Sequence, residues 1–376
     1  MRLLFVGNAD NPLLVDLALE LKRLRPGLVI DMLSERASRH PRATQAFDSI
    51  RFPENGGWMG ATRGVKFFWF LKRYRAMLRS VPNGYDAVHV FYLSAVWGAL
   101  ANELAAKGHR LVVSLFGSDV YRTAVLLKPL QARLLERAAW ITAANQDTLA
   151  VACRTYSITL ERTTIVRFGL RPLEHIERLQ ATGARALHKE AMGIPKNRLV
   201  FAAGYNASPH QHHQDIITAL RALPPEQGES LFVLVPMTMG GNPSHLAAVR
   251  IALRDSGLEH RIITDLMADE EVARLRLATD IMVQVQPTDQ LAGAMQEHLF
   301  AGSVVITGAW LPYAVLRGSG VRFWTVNDRS ELTRAIQTCI EELPDRQVAC
   351  AGNAAPIGAL SSWAHTAPQW SALYDQ

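Results

Sequence analysis

PTDQLAGAMQEHLFAGSVVITG, residues 287–308, follows the apolar run DIMVQVQ and leads through a turn and a helix-patterned segment into a second apolar run, SVVITG. Two short Val/Ile-rich runs joined by a helix of about ten residues form the strand–helix–strand unit of a parallel sheet. The alternation extends in both directions. Upstream, RLVFAAGY (198–205), LFVLVP (231–236) and RIITD (261–265) read as strands, with helices at 211–222, 244–256 and 269–278; downstream, RFWTV (322–326) is the last strand and 329–342 a helix.

The amino-terminal half carries its own alternation. RLLFVG (2–7), LVIDML (28–33), DAVHVF (86–91), RLVVSLF (110–116), AAWITA (138–143) and TTIVRFG (163–169) are strand candidates, with helices predicted at 13–24, 64–80, 93–107, 124–138 and 145–154. The pattern stops in the charged stretch 171–195 and restarts at 198. The reading is α/β, with a first Rossmann-like domain over 1–170, a linker over 171–195 and a second such domain over 196–340. The tail, 341–376, holds Trp363 and Trp370 and is expected to pack across the domains. One (β/α)₈ barrel is the competing arrangement.

Composition bounds the answer. The 376 residues suffice for two domains. With 49% hydrophobic and 20% charged residues, the chain is not a disordered or fibrous sequence. The net charge of +6 is spread over a large surface and does not by itself indicate nucleic acid. Cys153, Cys339 and Cys350 are too few and too scattered for a disulfide scaffold or a thiolate metal site, which points to the reducing cytoplasm. The apolar stretches 87–102 and 298–316 are broken by polar residues, Gly or Pro and do not read as membrane spans. Leu3–Val6 is too short for a signal-peptide core.

Asp289 and Glu297 stand eight positions apart across the loop–helix junction of the 287–308 segment. In a helix beginning near Leu291, Glu297 sits almost two turns in, where stabilisation by the helix N-terminus has faded. Two readings fit: a solvated acid pair beside an ordinary turn, or carboxylates that accept hydrogen bonds from sugar and ribose hydroxyls. In the second, Gly293 and the first amides of the helix admit a diphosphate.

This segment resembles the signature of the retaining GT4-like glycosyltransferases. Pro287-Thr288 match the turn of that signature, Asp289 stands at its first glutamate and Glu297 matches its second. Ala301–Thr307 match its small-residue helix end and the strand beyond. The resemblance implies a GT-B architecture, two Rossmann-like parallel-sheet domains facing across a cleft. It also implies a nucleotide-sugar donor carrying UDP, GDP or dTDP, with no obligate cofactor and no metal. Asp289 would approach the donor sugar, while Thr288, Gly293 and Glu297 would hold the nucleotide. In the first domain, Gly117-Ser118-Asp119 match a Gly-Ser-Asp element of the family, which makes Asp119 a catalytic candidate beside the plain reading of a helix cap. The family commonly has histidine just before this element; here Phe116 stands there, and His89 on the preceding strand is the candidate to replace it, or else a buried core histidine. Gly7 and Asn8 end the first strand at a turn that faces the cleft in such enzymes.

The chain departs most from the family at FAAGYNASPHQHHQDII (201–217), where a basic pair that grips the diphosphate is missing. Gly204, Asn206, Ser208 and His210 are the phosphate-binding candidates in its place, with His213 as an alternative donor. A metal held by His210, His212 and His213 lacks a placed third ligand. RGVKFFWFLKRYRAMLR (63–79) has six basic residues and no acid. It reads either as domain packing with a basic outer face or as an interfacial helix on anionic lipid. No nucleic-acid recognition module accompanies it.

The expectation is therefore a retaining transfer of sugar to a glycan or lipid-linked acceptor in cell-surface polysaccharide or glycolipid assembly, in the cytoplasm at the inner face of the plasma membrane. An epimerase or phosphorylase on the same fold, and a donor-binding subunit without chemistry, are the rival readings.

Overall fold

In the computed structural model, which describes residues 1–53 and 63–375, the strands form two open, wholly parallel sheets. The first holds β1 (Arg2–Gly7), β2 (Val29–Ser34), β3 (Ser49–Arg51), β4 (Tyr85–Phe91), β5 (Gly108–Ser114), β6 (Trp140–Ala143) and β7 (Thr163–Ile165) in the order β3-β2-β1-β4-β5-β6-β7. The second holds β8 (Leu199–Ala203), β9 (Leu231–Pro236), β10 (His260–Ile263), β11 (Ile281–Gln284), β12 (Val304–Gly308) and β13 (Trp324–Val326) in the order β10-β9-β8-β11-β12-β13. Two open sheets exclude the closed barrel. Strand order reverses once in each, between β1 and β4 and between β8 and β11, and these switch points are where loops diverge and open sheets bind ligands.

The apolar runs become strands because helices cover both sheet faces, so both sets of alternating side chains are buried. All six residues of β9 are buried. β3 escaped the sequence reading: three half-buried residues at the sheet edge offer too little periodicity. The predicted helix 93–107 breaks at Leu100 into Ala95–Ala99 and Ala101–Ala105.

The chain divides into Met1–Gly169 with Trp363–Gln376, and Leu170–Ser362. The expected linker at 171–195 is instead two helices of the second unit, Pro172–Gln180 and Arg185–Ala191. Its charges are ties rather than a solvated spacer. Lys189 Nζ lies 2.6 Å from Asp280 Oδ2, an atom that also accepts the Val200 N–H at 2.8 Å, and Arg178 reaches Glu270 at 2.7 Å. The tail divides. Residues up to Ser362 stay with the second unit, and the Trp363–Leu373 helix returns to the first. There Trp363 and Trp370 are buried, Trp370 Nε1 donates to the Arg167 carbonyl at 2.9 Å, and Arg25 pairs with Asp375.

The Arg63–Ser80 helix buries Tyr74 and Leu78 and leaves Phe68 and Phe70 exposed. The side chains of residues 63–66, Lys66 among them, lie outside the described residues. Among the described residues no helix is long and apolar enough to cross a membrane.

Candidate functional site

The carboxyl ends of β8, β11 and β12 in the second unit converge on one polar network. β8 ends at Ala203, and Gly204 turns the chain with φ +65°, donating its N–H to the Val283 carbonyl of β11 at 2.9 Å. A side chain at Gly204 would be strained, and its Cβ would stand 3.0 Å from His213 Nε2. Gln286, just beyond β11, is the hub. Its Oε1 accepts from Gln211 Nε2 at 2.7 Å and from the Tyr205 hydroxyl at 3.1 Å, and its carbonyl accepts from Trp310 Nε1 at 2.9 Å. One glutamine thus ties the loops after β8, β11 and β12.

The phosphate-binding candidates lie on the first of these loops. Asn206 Oδ1 accepts the Ser208 N–H at 2.9 Å, an Asx turn that shapes the segment, and Ser208 Oγ accepts the His210 N–H at 3.4 Å. Ala207 N–H donates to the Met239 carbonyl at 2.7 Å, which brings in the loop after β9. Gly241 is required there, because a Cβ on it would meet Ala207 Cβ at 2.4 Å. His212 turns aside to Arg329 and Asp215, and His213 faces His245. Among the described residues no group of three or more His, Cys, Asp or Glu side chains is arranged to hold a metal ion.

The two acids are each fixed by a buried partner that the sequence reading missed. Asp289 Oδ2 accepts from the Tyr313 hydroxyl, which in turn accepts from Gln284 Nε2. Burial first, and then the Asp289 charge, push the Tyr313 phenol well above its ordinary range, so it stays a donor. The helix bearing Glu297 runs Gly293–Phe300, two residues later than expected, so Glu297 sits one turn in and points inward, 7% exposed. Arg276 Nε and Nη2 both reach Glu297 Oε2 at 3.0 Å. Arg276 Nη1 faces His298 Nε2 at 3.2 Å, and His298 Nδ1 faces Ser303 Oγ at 3.3 Å. Burial, and next the Arg276 charge, hold His298 well below its ordinary pKa. A neutral imidazole protonated at Nδ1 satisfies both contacts. Thr288 immediately precedes Asp289 and Gly293 opens the helix that carries Glu297, both half-buried.

The first unit corrects two assignments. His89 is wholly buried, stacked on Phe91 at 3.8 Å, with Nδ1 2.6 Å from the Tyr374 hydroxyl and Nε2 2.7 Å from Ser114 Oγ. Both nitrogens are taken and burial keeps the ring neutral, so His89 is a core histidine and no replacement for the histidine that Phe116 displaces. Asp119 is also buried. Its carboxylate accepts the Leu93 N–H at 2.7 Å and the Phe116 N–H at 3.0 Å, joining the ends of β4 and β5. Burial raises its pKa to about 6 against the pull of those N–H groups. It shapes the strand ends and is not presented to a sugar. Asn8 Oδ1 accepts the Asp10 N–H at 3.0 Å in the turn after β1, and Asn11 caps the following helix.

Residues 2–145 match the family model described as glycosyl transferase 4-like. No curated protein sequence matches the chain. Among solved structures, Anabaena HepE in complex with UDP and glucose is 14% identical with a TM-score of 0.73, over 100% of this chain and 99% of that one. Sucrose-phosphate synthase from Thermosynechococcus elongatus is 13% identical with a TM-score of 0.77, over 100% and 98%. WaaG, a glycosyltransferase involved in lipopolysaccharide biosynthesis, is 13% identical with a TM-score of 0.73, over 100% and 99%. The family match covers residues 2–145, in the first unit, and the likeness to solved structures shows the two-domain GT-B fold over the whole chain.

Proposed function

We propose that the protein transfers a sugar, with retention, from a nucleotide-sugar donor held by the second unit to an acceptor hydroxyl of a glycan or lipid-linked oligosaccharide. The observation that carries this reading is the pair of fixed acids beside the β8/β11 switch point: Asp289 on Tyr313 and Glu297 on Arg276. Arg276 occupies Oε2 of Glu297, and Oε1 is the atom we assign to the ribose hydroxyls. Asp289 faces the donor sugar, one methylene shorter than the family's glutamate. The Gly204–Ser208 amides and the N-terminus of the Gly293–Phe300 helix take the diphosphate. The bond from the anomeric carbon to the phosphate oxygen breaks as the acceptor oxygen bonds on the same face. The leaving phosphate takes the acceptor proton. The protein's part is to orient the partners and balance the leaving charge.

A membrane-borne acceptor fits the Arg63–Ser80 helix, where exposed Phe68 and Phe70 lie among Lys72, Arg73 and Arg79, and Arg73 stacks over Trp69 at 4.4 Å. On this reading the protein works at the cytoplasmic face of an anionic membrane, in polysaccharide or glycolipid assembly, and the basic, aromatic helix is what supports it. The test is a panel of UDP-, GDP- and dTDP-sugars incubated with membrane lipid extract and read by mass spectrometry. An acceptor-linked sugar supports transfer. An altered free nucleotide sugar would indicate an epimerase, a sugar phosphate a phosphorylase, and donor binding without any product a subunit that has lost its chemistry.

A further inference from the structure

Two histidines meet where the loops after β8 and β9 converge. His213 opens the His213–Arg221 helix and His245 lies in the first turn of the Pro243–Ser256 helix; His213 Nδ1 and His245 Nε2 are 3.2 Å apart. The two helices pack against each other. Both N-termini, with their free N–H groups and partial positive charge, therefore lie at the histidine pair. His213 is wholly buried; its Nε2 makes no hydrogen bond of good geometry, and the Asn206 backbone carbonyl of the Gly204–Ser208 loop lies close enough to the ring to favour its protonated form. His213 Nε2 lies beneath the Gly204 turn, 3.0 Å from where a Cβ would stand.

The charged and titratable groups around His213 are few. His245 faces it from the neighbouring helix and His212 from its own turn, with His210 beyond. Asp215 is engaged by His212 at 3.3 Å and by Arg329 at 3.4 Å. Burial first, and then the neighbouring imidazoles, depress His213 to about 4, and burial lowers His245. The empty pair is neutral. A negative charge within about 4–6 Å raises an imidazole's pKa by about one to three, and a diphosphate carries two such charges. The loop above, Gly204-Tyr205-Asn206-Ala207-Ser208, contains no Lys or Arg to meet them.

We propose that the His213–His245 pair is a proton-coupled anion site: the diphosphate of a nucleotide sugar on the Gly204–Ser208 loop brings one proton onto the pair, which then supplies the positive charge. The inference rests on the donor reading above. It makes donor affinity proton-dependent where permanent cations would make it indifferent to pH. Affinity is highest in acid and falls, by up to about tenfold per pH unit, until the pair in the complex has lost its proton.

The test is isothermal titration of UDP-glucose, GDP-mannose and dTDP-glucose at pH 6 and pH 8, each in two buffers of different ionisation enthalpy. These diphosphate diesters keep the same charge over that range, so a proton taken up enters the protein. The parent should take up close to one proton at pH 6 and fewer at pH 8. His213→Gln and His245→Gln should each abolish the uptake and flatten the pH dependence. His245 is half-buried, so its variant serves if the buried substitution does not fold. Binding by the parent without proton uptake, or uptake retained in both variants, overturns this inference and leaves the donor reading intact. Failure of all three donors to bind overturns both.

Discussion

Arg276 sets both Nε and Nη2 on the same oxygen, Oε2, of Glu297, at 3.0 Å each. Both side chains are nearly buried. The ion pair orients the acid and neutralises its charge at once, so under the proposed role of Glu297 stability and donor recognition are coupled at one residue.

Glu297→Ala is therefore expected to act twice. Removing one member of a buried pair costs about 3–5 kcal/mol, because Arg276 is left without its counter-charge. The double change Arg276→Met with Glu297→Leu should recover most of that stability and none of the donor binding. Urea unfolding and donor titration on the same samples separate the two effects. A single variant with parental stability would contradict the pairing.

Tyr313 holds Asp289 from beneath and is itself held by Gln284. Tyr313→Phe leaves the carboxylate in place and releases its orientation, which should lower kcat by about 10- to 100-fold with a smaller change in donor KM. Asp289→Asn should lower kcat at least as far. Parental turnover in both would remove Asp289 from the sugar.

His89 is expected to be silent in catalysis. His89→Gln should cost about 1–3 kcal/mol of stability through its contacts with Tyr374 and Ser114, and leave kcat within about twofold. A collapse of kcat at full stability would return His89 to the reaction.

Stability should decline in mild acid. His89, His213 and His298 are each depressed, burial being the largest cause, and unfold to imidazoles that titrate near about 6.5. As pH falls below that value the unfolded chain binds protons that the folded chain refuses, at about 1.4 kcal/mol per pH unit for each imidazole. Asp119 works in the opposite direction. Its folded pKa of about 6 lies above the ordinary aspartate value of 3.8, so it returns stability as pH falls through 6. Urea unfolding at pH 7, 6 and 5 should show a net decline, steeper in Asp119→Asn. A stability that is flat or rises in acid would contradict this.

The Arg63–Ser80 helix sets a membrane prediction. Replacing Lys72, Arg73 and Arg79 by Gln should reduce sedimentation with phosphatidylserine vesicles about a hundredfold in partition coefficient, at about 1 kcal/mol per cation. Equal sedimentation of variant and parent would remove the membrane from the account.

The sequence showed the strands and most helices because a doubly covered parallel sheet writes its apolar runs into the chain. It showed less of what those elements hold. The partner of Glu297 lies 21 residues upstream on another helix, and that of Asp289 lies 24 residues downstream. Neither spacing has a local period, and an arginine or tyrosine at those places reads as surface. His89 misled for the converse reason: a histidine in a strand reads as chemistry, whereas its neighbours Tyr374 and Ser114 arrive from the tail helix region and the next strand. The 171–195 stretch read as a linker because its charges look solvated. Lys189 and Asp280, 91 residues apart, are buried together.

The central claim is that Glu297 holds the nucleotide ribose, and a cycle of ligand and protein changes tests it most directly. UDP and GDP are titrated against their 2′,3′-dideoxy forms on the parent and on Glu297→Gln. A hydrogen bond to a charged group is worth about 1.5–3 kcal/mol, so the parent should bind the dideoxy form of its preferred nucleotide at least about tenfold more weakly. The variant should bind both forms alike. Equal binding of the two forms by the parent would contradict the account.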